Sequence, residues 1–473
     1  NRRNCCGKNK HPTIMVFSSN IFLLAFLPLF LITYYITPDK FRSIPILIGS
    51  YIFYAWWRID FMALFAGVTL WNYLIYKKIV SSSTPDKKWM QIGVAGNLLT
   101  LGFFKYTNFG VDSLNAVLTQ MGGHPIEVMA IILPIGISFY IFQAISFLID
   151  VYRKDAPHPK NFWDFAAFIS LFPQLIAGPI LRYKDVAEQF QSRTHSLDKF
   201  SEGSYRFMVG FAQKVLIADS VAPIADKVFA VSNPTFTEAW LGALAYTVQL
   251  YFDFMGYSSM AIGLGLMMGF RFIENFNHPY ISRSITEFWR RWHISLSSWL
   301  KDYLYIPLGG NRRGQKRTYL NLFLTMVLGG AWHGANWTFV LWGAWHGALL
   351  AIERALGLKN ADWPKIMMVP TLLAVILGWV MFRADNITQA FSFYQGMLGI
   401  NGFALSDVLS WQITHQSLVF LTIGWGIIFF APKFLDFRQA IEGSVAMKTT
   451  GYQKPLVLAG TVICFVLAVS KLA

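Results

Sequence analysis

The chain has 473 residues, of which 55% are hydrophobic and only 14% charged. Soluble domains carry about 25% charged residues, so an ordinary soluble enzyme is excluded, and a mean hydropathy of +0.42 points to an integral membrane protein. The net charge of +15 would fit nucleic acid in another chain, but here the basic residues stand in short clusters between apolar runs, the pattern that sets membrane topology.

Residues 1–14, "NRRNCCGKNKHPTI", differ in character from all that follows. They read as an extension ahead of a natural start at Met15 and are set aside from the fold. The run "MVFSSNIFLLAFLPLFLITYYI" lacks a basic lead of its own and a small-residue cleavage pattern, so it reads as an uncleaved first span. Further apolar runs lie at 43–57, 61–80, 89–104, 128–150, 163–181, 203–222, 239–270, 318–350, 366–383, 416–431 and 455–472. The runs 239–270 and 318–350 are long enough for more than one crossing, and others are short or carry proline. The expected fold is an all-α polytopic bundle with about 10–13 transmembrane or partial segments. It forms one membrane-embedded domain over 15–473.

The basic clusters are Lys77-Lys78, Lys87-Lys88, Arg153-Lys154 and "NRRGQKRT" at 311–318, with Arg312, Arg313, Lys316 and Arg317. The last is the best cytoplasmic anchor. Cys5, Cys6 and Cys464 form no disulfide framework and no metal spacing. "FPQLIAGPILRY", 172–183, has prolines around an apolar pentapeptide and reads as bent or re-entrant. Residues 185–207 carry alternating charge and read as a surface helix or loop. In 284–310, Phe288, Trp292, Leu296, Trp299 and Leu300 share one helical face, which predicts an amphipathic helix at the interface or along a polar interior.

Ionisable groups inside membrane segments are costly and mark function. They are His293, His333, His346, Asp253, Glu274, Asp150, Lys105 and Arg383. His333 follows Gly329-Gly330, and Asn336 three residues on would share its helical face. A neutral imidazole there suits general-base activation of a hydroxyl; an interhelical hydrogen bond is the plain alternative. His346 repeats the "AWHGA" of His333. One straight helix would set the two imidazoles about 20 Å apart on different faces, which makes His346 mainly a packing residue. His293 sits beside Arg290 and Arg291. Asp253 is expected to pair with one of those arginines, as a structural tie or as a substrate-positioning group. Walker A, HExxH, CxxC and GxSxG-triad patterns are absent, which weakens ATP-driven, zinc-hydrolytic and serine-esterase readings.

"LPIGISFYIFQAISFLIDVYR" (133–153), "FPQLIAGPI" (172–180), "QLYFDFMGYSSMAIGLGLMMGF" (249–270), "SITEFWRRWHISLSSWLKDYLYIPLGGNR" (284–312) and "GGAWHGANW" (329–337) together resemble the membrane-bound O-acyltransferase family. The resemblance is closest to its bacterial branch for alginate O-acetylation. It implies a many-helix bundle around a funnel or tunnel, in the bacterial inner membrane. The family's central histidine falls on His333 and its second histidine on His293. Beside these, His293 and Asn336 are expected to orient the thioester or stabilise the oxyanion, and Arg290, Arg291 and the 311–317 cluster to attract the phosphates of coenzyme A, with the setting of topology as their plainer role. The resemblance also implies acetyl-CoA as donor, no tightly bound cofactor, and periplasmic acetyltransferase subunits as partners. Ser259 stands where the family often has aspartate, and Gln174 where this branch often has histidine. Acylation of cellulose, peptidoglycan or teichoic acid stays open on these motifs. So does, from the residues alone, a proton-coupled transporter using Asp253, Arg290 and the histidines.

Overall fold

A computed structural model describes residues 15–81, 84–358, 363–434 and 453–472. Residues 1–14, and with them the expected extension, Cys5 and Cys6, lie outside the described residues. Among the described residues all regular structure is helical.

The first helices follow the apolar runs closely: α1 (Leu27–Ile36), α2 (Ser43–Ala55), α3 (Phe61–Ile79) and the longer α4 (Lys87–Gln120). Residues 124–136 are irregular, so the run expected from 128 becomes helical only at α5 (Ile137–Arg153). The proline-rich stretch behaves as its composition dictates. After α6 (Phe162–Ser170) comes the single turn α7 (Phe172–Leu175), then buried irregular backbone to α8 (Tyr183–Gln191). Next are α9 (Leu197–Ala212), α10 (Asp219–Phe229) and α11 (Phe236–Met267). Although 239–270 is long enough for two crossings, α11 is one unbroken helix. A capping box starts it: the Thr235 hydroxyl accepts from the Glu238 amide, and the Glu238 carboxylate accepts from the Thr235 amide.

The expected amphipathic helix at 284–310 is instead two short helices, α12 (Ile285–Arg291) and α13 (Ile294–Leu300), followed by a π-helical turn at Lys301–Tyr305. Phe288, Trp289, Trp292, Trp299 and Tyr303 are buried in the core rather than laid on an interface. The run 318–350 is a hairpin of α14 (Gln315–His333) and α15 (Trp337–Ala355). The chain closes with α16 (Met368–Arg383), α17 (Ile387–Met397), α18 (Asp407–Gln412), α19 (His415–Phe434) and α20 (Gln453–Ser470). Two stretches, Leu197–Phe229 and Lys365–Arg383, are each long and apolar enough to cross a membrane.

Small residues and paired amides hold the helices together, as expected where lipid removes the hydrophobic drive between them. A Cβ on Gly203 would stand 2.6 Å from the Gly263 carbonyl oxygen, and one on Gly210 would stand 2.5 Å from that of Gly256, so α9 and α11 meet backbone to backbone. Asn72 on α3 and Asn97 on α4 exchange two amide hydrogen bonds of 3.0 and 2.7 Å.

The contacts also fix a polarity. Gly93 of α4 lies against Leu148 of α5, Tyr303 bonds Asp150, and Asn321 of α14 bonds the Gly310 carbonyl. The end of α5 and the starts of α4 and α14 therefore share one side. The clusters Lys87-Lys88, Arg153-Lys154 and Arg312–Arg317 gather there.

Candidate active site

At the opposite ends of α5 and α14 is a cavity of about 510 Å³. From Gln315 to His333 the α14 axis rises about 27 Å, so the cavity lies most of a bilayer core away from the basic side. His333 ends α14, and the chain turns at Gly334–Asn336. The turn follows from a cap: the Asn336 side chain accepts from the Thr338 amide at 3.0 Å and donates to the Asp385 carbonyl at 2.8 Å. Asn336 therefore starts a new helix instead of sharing a helical face with His333. It does not line the cavity. The glycines before His333 serve the hairpin. A side chain on Gly330 would run into the Phe339 carbonyl of α15, and one on Gly343 into that of Met326.

His293 comes from the break between α12 and α13. Its φ of +43° is in the left-handed region, which is rare for a residue with a Cβ and is a form of strain concentrated at functional sites. Buried Asn275 holds the break. Its carbonyl oxygen accepts from the Ile294 amide at 3.0 Å, and its side-chain oxygen accepts from Ser295 Oγ at 2.8 Å. Ser295 Oγ in turn accepts from the Ile180 amide at 3.0 Å, which ties the proline-rich segment to the same point.

These two supports bring His293 and His333, forty residues apart in the chain, to a ring-centroid separation of 6.2 Å. Both line the cavity. His293 is 1% exposed, and neither of its ring nitrogens has a partner among the described residues. Phe254 presents its ring edge-on to His293 at 4.7 Å, and His333 is walled by Trp332, Trp342 and Phe382 at 5.1–5.3 Å. The result is a pair of imidazoles in an aromatic chamber. It can hold an acyl group beside two nitrogen-bearing rings.

The other candidates go elsewhere. His346 is fully buried beneath Trp342, accepts from Trp289 Nε1 at 3.4 Å, and does not line the cavity. The chain folds back between the two histidines in the hairpin rather than running as one straight helix, and the Trp342 ring lies 5.2 Å from His333 and 5.1 Å from His346 and separates them. Asp253 pairs at 2.7 Å with Lys214, not with an arginine. Arg291 pairs with Glu287 at 2.9 Å, and Arg290 is exposed. Glu274 binds Arg206 and Arg383 binds Asp226. Asp150 accepts from Tyr303 at 2.7 Å. Ser259 packs against Gly210 of α9, and Gln174 donates to the Phe168 carbonyl. Asn275 and Ser295 were not legible in sequence, because nothing local marks an amide that secures a break twenty residues away.

The sequence profile of the MBOAT, membrane-bound O-acyltransferase family, matches residues 144–388. A probable alginate O-acetylase of Pseudomonas putida is 54% identical over 97% of this chain and 98% of its own length. One from Azotobacter vinelandii is 58% identical over 88% of this chain and 84% of its own. A peptidoglycan O-acetyltransferase of Helicobacter pylori is more distant, 37% identical over 83% and 81%. The matched profile contains His293, His333 and the whole hairpin between α14 and α15, and on this ground the chain belongs to the membrane-bound O-acyltransferase family.

Proposed function

We propose that this chain is a multi-pass inner-membrane O-acetyltransferase serving O-acetylation of an exported polysaccharide, alginate. It takes an acetyl group from a cytoplasmic thioester, acetyl-CoA, and delivers it to periplasmic acetyltransferase subunits. About 10–13 transmembrane or partial segments form the bundle, and the cavity is the floor of a funnel through it. The names of the relatives support the chemistry and the polymer. The gathered basic clusters, Arg312, Arg313, Lys316 and Arg317 among them, support a cytoplasmic side that faces the donor's phosphates.

The observation that carries the reading is the His293–His333 pair in one aromatic cavity. His333 takes the proton of the attacking hydroxyl as its oxygen bonds the thioester carbonyl carbon. When the C–S bond breaks, His333 returns that proton to the sulfur. His293 lies across the chamber and orients the acyl group. General-base help of this kind contributes about 10²–10⁴ in rate.

The test is His333→Ala, with membrane level and insertion checked, and O-acetyl content of the exported polymer as readout. Loss of acetyl groups is expected; normal acetylation with a fully inserted variant rejects the reading.

A further inference from the structure

Lys105 lies in the middle of α4, far from either end, and its side chain is buried, with the residue 8% exposed. A buried cation normally sits against a carboxylate. Elsewhere in the molecule this holds for buried Arg206, which meets Glu274, and for the half-buried Arg182, which meets Asp185 and Asp302, and Lys214, which meets Asp219 and Asp253. Lys105 pairs with no carboxylate among the described residues. Its ammonium donates to the Trp332 carbonyl oxygen and, at 3.1 Å, to Ser138 Oγ. An ammonium has three N–H donors, so one remains beyond these two bonds. Lys105 lines the cavity, and among the described residues no Asp or Glu does.

The placement relative to His333 is close. The Trp332 carbonyl belongs to the peptide bond that leads into His333. The next residue of α4, Tyr106, donates to the Ala331 carbonyl at 2.8 Å. Two neighbouring side chains of α4 therefore hold the last turn of α14, where orphan carbonyls and the negative end of the helix dipole collect. Tyr106 does this without charge, whereas Lys105 leaves the cavity with a positive pole that no carboxylate among its described lining residues neutralises.

We infer that Lys105 is a catalytic residue whose free N–H receives the oxyanion formed on the thioester carbonyl during acyl transfer. This rests on the acyltransfer reading above. The acceptor oxygen bonds to the carbonyl carbon, and the C=O electron pair moves onto oxygen beside the Lys105 ammonium. The hydroxyl proton goes to His333. Collapse restores C=O, breaks the C–S bond and sends the proton from His333 to the sulfur, so no net charge or proton is left over. Fixed positive charge acts on this oxyanion more than on the neutral thioester, and so lowers the barrier.

The experiment compares Lys105→Met, Tyr106→Phe and His333→Ala in the full chain. The readouts are the initial rate of polymer O-acetylation, the membrane level of each variant and its melting temperature in detergent. Lys105→Met is expected to lower the rate about 10²–10³-fold, with Tyr106→Phe within about threefold of the parent. The inference is overturned if Lys105→Met keeps more than a third of the rate. It is also overturned if Tyr106→Phe falls as far, because anchoring of the α14 end would then account for both. An inactive His333→Ala beside an active Lys105→Met rejects the Lys105 role alone. Normal acetylation by His333→Ala rejects the acyltransfer reading itself.

Discussion

His293 and His333 face one cavity from two different chain breaks, with ring centroids 6.2 Å apart. One break is the capped turn at Gly334–Asn336, the other the left-handed kink at His293. A pair built from two independent supports acts as a unit, and units of this kind are strongly non-additive. His293→Ala is expected to lower acetylation about 10²-fold. Joined to His333→Ala, it should add little to the loss of that variant alone. Acetyl content of the polymer from the two singles and the double decides this; independent, multiplying losses would contradict a shared site.

Asn275 tests how the His293 break is held. Its side-chain oxygen accepts from both the amide and the hydroxyl of Ser295. Asn275→Ala leaves buried donors without their acceptor, at a cost of about 1–3 kcal/mol. The expected outcome is a lower melting temperature in detergent and a loss of acetylation larger than that fall explains. A full rate at reduced stability would make Asn275 a fold residue without influence on His293.

The parts of this molecule that sequence revealed are those set by local chemistry. Apolar runs became helices at nearly their predicted places, because burial and the need to satisfy backbone polar groups both act locally. The proline-rich 172–183 broke as its composition required. The turn after His333 was also written locally, in Gly334-Ala335-Asn336 followed by Trp337-Thr338 and an apolar run. That is an N-cap signal, and it divides a run long enough for more than one crossing. The His293 kink has no such mark. No glycine or proline lies between Arg291 and Ile294, and the left-handed conformation is imposed by Asn275 from another segment. The same holds for Asp253. Its partner Lys214 lies thirty-nine residues away, beyond the α9–α11 contact, and the nearby arginines were a false lead. Lys105 was conspicuous only as a charge in an apolar helix, because its meaning comes from the Trp332 carbonyl across the bundle.

The two "AWHGA" copies predict opposite outcomes for matching substitutions. His346 bridges α15 and α12 through Trp289 and lies outside the cavity. His346→Gln keeps a donor and an acceptor but disturbs this contact, so acetylation should stay within about threefold while stability falls by about 1–3 kcal/mol. An inactive, stable His346→Gln would return this residue to the chemistry.

The α14–α15 hairpin supplies a packing prediction. A methyl group on Gly330 has no room against the Phe339 carbonyl, nor one on Gly343 against that of Met326. Both obstacles are backbone and cannot swing aside. Gly330→Ala and Gly343→Ala should each cost about 1–3 kcal/mol and move His333 relative to His293, since the hairpin carries one of the pair. Melting in detergent and polymer acetylation should fall together, and an unchanged melting temperature would show that the helices can part there freely.

His195 gives the pH dependence. It lies in the polar loop between α8 and α9, with Nδ1 2.7 Å from Arg42 and Nε2 2.9 Å from the Tyr34 hydroxyl. Burial first, then the guanidinium groups of Arg42 and Arg193, hold its pKa below the ordinary value of 6.5. The folded protein therefore binds this proton less readily than the unfolded chain. Stability from this group is present above about pH 6.5 and is lost as pH falls through that value towards the lower folded pKa. At constant ionic strength the melting temperature should drop between about pH 7.5 and pH 5.5. His195→Gln, which cannot titrate, should show a shallower drop. Parallel curves for parent and variant would remove His195 as the source.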